Sequence, residues 1–111
     1  MDLKSARALA TGLVTTSGSF YITGGYGKKS ILKTMEVISF SGGIWKIKRG
    51  LKMPQSLAGH CMAEMTPTKF VVAGGFSSKF DDYIPTLYVY DQDLIEWTTR
   101  KLLTLRYLES M

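Results

Sequence analysis

Four clusters in this 111-residue chain have the residue types of a chemical site. Gly24-Gly25-Tyr26-Gly27-Lys28-Lys29-Ser30 carries the glycines, lysines and hydroxyl of a phosphate-cradling loop. Its spacing is wrong for one: position 22 is Ile where the first glycine belongs, and no Lys-Ser or Lys-Thr pair directly follows Gly27. The residues after it read as strand, not as a helix whose N-terminus would hold an anion. His60-Cys61 has the makings of a metal pair or of a thiol with its base, but neighbours on a strand point to opposite faces. With one His and one Cys in the chain, no tetrahedral zinc set assembles without carboxylates. Asp81-Asp82 and Asp91/Asp93 lack the spacing of a calcium loop. The expectation is a protein without catalytic residues, cofactor or metal.

Chemistry suited to binding another protein is concentrated in two other places. One segment holds Tyr26, Lys28 and Lys29; the other holds Phe76, Lys79, Phe80, Asp82 and Tyr83. Aromatic rings supply affinity when a partner buries them, and surrounding charge supplies orientation. These eight residues are the candidate partner-binding set. The competing reading is that Phe76 and Phe80 only pack their own loop.

The elements that must position them come from an internal repeat. Phe20-Tyr21-Ile22-Thr23-Gly24-Gly25 returns as Phe70-Val71-Val72-Ala73-Gly74-Gly75, 50 residues on. Val37-Ile38-Ser39 ahead of Trp45 returns as Val89-Tyr90-Asp91 ahead of Trp97, now 52 residues on. The two extra residues therefore fall between 76 and 86, where a loop absorbs them cheaply. An upstream segment occurs three times, ending in Arg7, Leu57 and Arg106. The division is 1–50 for the first repeat, 51–101 for the second and 102–111 for the opening of a third.

Each repeat reads as four short strands: 9–15, 20–24, 35–40 and 44–48, then 60–65, 70–74, 87–91 and 96–101. β-branched and aromatic runs bounded by Gly, Ser and Asp turns carry this reading. Trp45-Lys46-Ile47-Lys48 alternates apolar with cationic, as an outer strand with one wet face should. No 3.6-residue apolar stripe persists for a dozen residues, which excludes a helix-rich fold.

Composition agrees with a folded domain: 45% hydrophobic and 21% charged, with 11 Gly and 3 Pro. The net charge of +5 is spread over small groups, so neither a nucleic-acid arm nor a membrane surface is expected as partner. The opening residues lack a signal-peptide apolar core, and 70–73 is far too short to span a bilayer. A single cysteine precludes an internal disulfide and fits a reducing, cytoplasmic setting.

A strand ending in Gly-Gly, then a strand with Tyr, then Trp seven residues later, resembles the kelch repeat. The second repeat matches with Gly74, Gly75, Tyr90 and Trp97, and His60 falls where kelch repeats often carry His. The first repeat has Gly24, Gly25 and Trp45, with Ile38 in place of Tyr and Ala10 in place of His. The resemblance implies an all-β fold: a kelch-type β-propeller segment of two four-stranded antiparallel blades, too few to close a ring. It implies that the glycine pairs crowd an inner strand at positive φ. It also implies that Trp45 and Trp97 fill the space between stacked blades. Many relatives bind proteins, as substrate adaptors of ubiquitin ligases or as actin binders, and further blades would come from a longer chain or from oligomerisation. The alternative is a fragment of a propeller enzyme or carbohydrate-binding propeller. Copper-dependent galactose oxidase is such an enzyme, although its ligand set needs several His.

Overall fold

A computed structural model of the chain describes residues 7–77, 82–83 and 86–101. The opening of the third repeat, 102–111, lies outside the described residues, as do Lys79 and Phe80. All regular structure among the described residues is β.

The first repeat forms one antiparallel sheet of four strands in sequence order: β1 (Thr11–Val14), β2 (Phe20–Thr23), β3 (Met35–Ser41) and β4 (Ile44–Arg49). The second repeat forms another from β6 (Cys61–Thr66), β7 (Lys69–Ala73), β10 (Thr86–Asp91) and β11 (Glu96–Lys101), again in sequence order. The fold is thus two blade-like sheets of a partial β-propeller. A third, small sheet was not foreseen. It joins β5 (Leu57–Ala58), β8 (Phe76–Ser77) and β9 (Asp82–Tyr83). Two-residue strands carry too little pattern to be read from sequence.

Repeat symmetry extends to register. Thr11 faces Thr23 as Cys61 faces Ala73, and Phe20 faces Ile38 as Phe70 faces Tyr90. The small sheet is echoed as well. Ala58 pairs Phe76, which pairs Tyr83, just as Ala8 bridges Tyr26, which bridges Ile31. Tyr26 to Ile31 is shorter than Phe76 to Tyr83 by two residues, so the insertion lies between Phe76 and Tyr83.

One register differs. In the first sheet Ile38 faces Ile47 and Trp45 faces Phe40; in the second Tyr90 faces Trp97. The hairpins explain it. Ser41 and Ile44 close a two-residue turn with Gly42 at φ 60° and Gly43 at φ 77°, the geometry of a type I′ turn. Asp91 and Glu96 instead close a four-residue turn, with the Asp91 carboxylate accepting from the amides of Asp93 and Leu94. Ile47, not Trp45, therefore occupies the register of Trp97, and Trp45 sits nearer the hairpin tip. The shift of two keeps Trp45 on the same face.

The core lies between the sheets. Tyr21, Met35 and Val37 of the first face Phe70, Val72, Tyr88 and Tyr90 of the second, with Met53 and Leu57 of the connecting segment completing the cluster. Ring centroids of Tyr21 and Phe70 are 4.8 Å apart, of Phe70 and Tyr90 5.2 Å, and of Tyr90 and Trp97 4.9 Å. The Trp97 indole donates to the Leu51 carbonyl at 3.1 Å. Trp97 thus fills the inter-blade space as expected. Trp45 does not: it is 55% exposed, packed on Phe40 with centroids 5.0 Å apart, on the sheet face away from the second repeat. Trp45 shares the face of Ile38 and Ile47, which is turned away from the second repeat, and it lies near the hairpin tip where Phe40 is its aromatic neighbour.

Both glycine pairs take positive φ, 63° and 94° at Gly24 and Gly25, 72° and 89° at Gly74 and Gly75. A Cβ on Gly24 would strike the Leu57 carbonyl, and one on Gly25 would lie 2.6 Å from the Ala8 carbonyl. Crowding by incoming chain as well as dihedral angle requires glycine there.

Truncation should therefore separate the two large faces. Phe70→Ala, from a fully buried position, is expected to cost about 3–5 kcal/mol, whereas Trp45→Ala should cost under ~1 kcal/mol in the isolated chain. Urea midpoints of the two variants against the parent chain measure both.

Candidate functional site

The second and third strands of each sheet are joined at the end marked by the glycine pair, so both candidate loops emerge on the same side of the molecule. β5 stitches them together. The Gly25 amide donates to the Leu57 carbonyl at 2.8 Å and the Leu57 amide to the Leu32 carbonyl at 3.1 Å, while β5 also pairs with β8. The result is a continuous rim of backbone from Ala8 through Tyr26 and Leu57 to Phe76.

On this rim Tyr26, Lys28 and Lys29 are exposed. Tyr26 is held by two backbone bonds with Ala8, at 2.7 and 2.9 Å, and the Gly27 amide closes the turn onto the Ser30 carbonyl. Arg7, Ala8, Tyr26, Gly27 and Lys28 border a shallow recess. From the second loop, Phe76 is half-buried in β8, beside a fully buried Ser77 whose hydroxyl reaches Gln55 at 3.2 Å. Asp82 and Tyr83 lie on β9, paired with Ser77 and Phe76. Lys79 and Phe80 fall outside the described residues.

Two buried polar groups support the rim, and their partners were not legible in the sequence. Arg7 donates to the carbonyls of Gly24 and Thr34, to the Thr34 hydroxyl, and to the Glu36 carboxylate at 2.6 Å. Both members of this ion pair are almost wholly out of solvent. Arg7 so ties the chain entering the first sheet to the glycine end of β2 and the start of β3. A repeated Arg in the upstream segment was the available signal, but its partner 29 residues away was not. His60 is buried between the sheets with Nε2 2.7 Å from the Thr23 hydroxyl, which also donates to the Met62 sulfur at 3.2 Å. Burial pushes its pKa down from 6.5 to about 4, against a smaller opposing pull from a backbone hydrogen bond at Thr23. A neutral imidazole here is an inter-blade packing group. Cys61 is exposed. Among the described residues, no group of three or more His, Cys, Asp or Glu is placed to hold a metal ion. Nor is any helix long and apolar enough to cross a membrane.

Arg7→Met should cost about 3–5 kcal/mol by withdrawing the guanidinium from the buried Glu36 carboxylate and from the carbonyls of Gly24 and Thr34, and Arg7→Met with Glu36→Leu should recover part of that. Chemical denaturation of the two variants reads the difference. His60 binds its proton more weakly folded than unfolded, so its contribution to stability is complete above pH 6.5 and is lost as pH falls toward about 4. His60→Gln should flatten the pH dependence of the melting temperature across that window.

No family model matches the chain, and no curated protein matches it. A solved structure of similar fold is a fungal alcohol oxidase with catalytic diversity among the AA5 family, in complex with copper. Identity is 13% and the TM-score 0.70 over 86% of this chain; the chain spans 22% of the oxidase. The likeness is one of fold, over most of this chain and a small part of a much longer one.

Proposed function

We propose that the chain is a two-blade, kelch-type protein-recognition module that presents its glycine-end rim to a protein partner. The observation that supports this reading is the stitching of both candidate loops into one rim by β5, with exposed Tyr26, Lys28 and Lys29 on it. Such a rim combines an aromatic anchor held by its own backbone with adjoining positive charge, which favours a partner surface bearing acidic groups. A substrate adaptor of a ubiquitin ligase or a cytoskeletal binder fits this description, in a cytoplasmic setting that leaves the exposed Cys61 reduced.

A second reading is favoured by the likeness to the alcohol oxidase: the chain would be part of a propeller enzyme whose site draws on other blades. The two readings separate by what the rim does alone. Capture of a partner on the immobilised chain, followed by titration with Tyr26→Ala and Lys28→Ala/Lys29→Ala, is expected to show a loss of about 1–2 kcal/mol for each variant. Melting temperatures should stay at the parent value, because all three side chains are exposed. Binding that survives these changes would remove the rim from consideration.

A further inference from the structure

The two sheets meet through opposite faces, and much of each apolar face recurs on the outside of the other sheet, with the Arg7–Glu36 pair at the register of Tyr88. The second sheet docks with the face of Phe70, Val72, Tyr90 and Trp97. At the same registers of the first sheet stand Phe20, Ile22, Ile38 and Ile47, and they point away from the second sheet. Val14, Gly18, Phe20, Ile38 and Trp45 line an apolar recess on that outer face, where Val14 and Trp45 are more than half exposed. Gly12 lets the Phe20 ring lie flat there, since a Cβ would stand 2.7 Å from it. Conversely, the first sheet receives its partner with Thr11, Leu13, Tyr21, Thr23 and Met35. At the same registers of the second sheet's outer face stand Cys61, Ala63, Val71, Ala73 and Leu87, with Cys61 and Ala63 exposed.

We propose that the outer face of the first sheet docks the outer face of the second sheet of another copy of this chain, repeating head-to-tail between molecules the joint seen within one. This joint is separate from the rim and does not depend on the recognition reading. Both halves of a repeating contact on one polypeptide make the association heterologous, so it grows until rotation closes it. Sheets of this kind close at about 4–8 blades, which for a two-blade chain means two to four copies. The joint between copies is weaker than the internal one. Within the chain the Glu64 carboxylate accepts from the amide and hydroxyl of Thr16, but Val14 occupies the register of Glu64 and cannot. Association should therefore be reversible and concentration-dependent. Within the chain the Thr11 hydroxyl donates to the His60 carbonyl at 2.7 Å. Cys61 stands at the register of Thr11, so docking should cover its thiol.

Sedimentation velocity over a concentration series tests this with the chain as it stands. The parent chain is expected to pass from monomer to a closed assembly. Trp45→Glu and Ala63→Glu change exposed residues on the two different faces, and each should abolish assembly. Their equimolar mixture retains one intact face of each kind and should give a one-to-one dimer. A parent chain that stays monomeric, an Ala63→Glu variant that assembles like the parent, or a mixture that stays monomeric would each overturn the proposal; the second would indicate pairing of two Trp45 faces. Alkylation of Cys61 in the parent chain needs no variant to fold. Its rate should fall several-fold from the lowest to the highest concentration, and a constant rate would count equally against the joint.

Discussion

Each of the two sheets in this chain buries one face on the other. The stack of Tyr21, Phe70, Tyr90 and Trp97 is therefore the contact on which both repeats depend. Ring pairs at such separations add to the burial of large apolar area. The requirement propagates outward. Met53 and Leu57 must thread through the same layer, which brings the connecting segment within hydrogen-bonding reach of the first loop. Gly24 and Gly25 must then be glycine because that segment and the entering chain pass directly over them.

Packing of this kind leaves polar groups stranded, and the chain resolves them with bonds that also lock the sheets in place. Thr23, His60 and Met62 share one buried contact across the joint. The Thr11 hydroxyl caps the His60 carbonyl, and Glu64 grips Thr16 at the far edge. Arg7 and Glu36 play the corresponding part inside the first repeat. A charge pair so completely removed from water is weak evidence for net stability, but its four bonds specify where the entering chain lies. The rim inherits that position, since Tyr26 is paired with Ala8, the residue after Arg7.

Two hairpins of different length give nearly identical sheets different outer features. A Gly-Gly turn pulls β4 along by two residues relative to β11, so Ile47 takes the register of Trp97 and Trp45 lies nearer the hairpin tip, on the face turned away from the second repeat. Because a shift of two preserves the face, the apolar character of that outer face survives the change.

Much of this was determined by sequence alone. The eight main strands, their antiparallel order and the need for positive φ at both glycine pairs follow from repetition, alternation and turn residues, because these act between neighbours in the chain. The places of the buried Tyr90 and the half-buried Trp97 at the joint were legible for the same reason. Tertiary structure decided the rest. Trp45 and Trp97 share a seven-residue spacing from Ile38 and Tyr90, yet turn geometry gives them different cross-strand partners. Arg7 finds Glu36, and Leu57 finds Gly25 and Leu32, only because the inter-sheet layer draws distant segments together. Which loop residues share a rim is likewise settled by β5, two residues long and without a pattern of its own. Long-range pairing depends on where packed surfaces come to rest, and no local spacing encodes that.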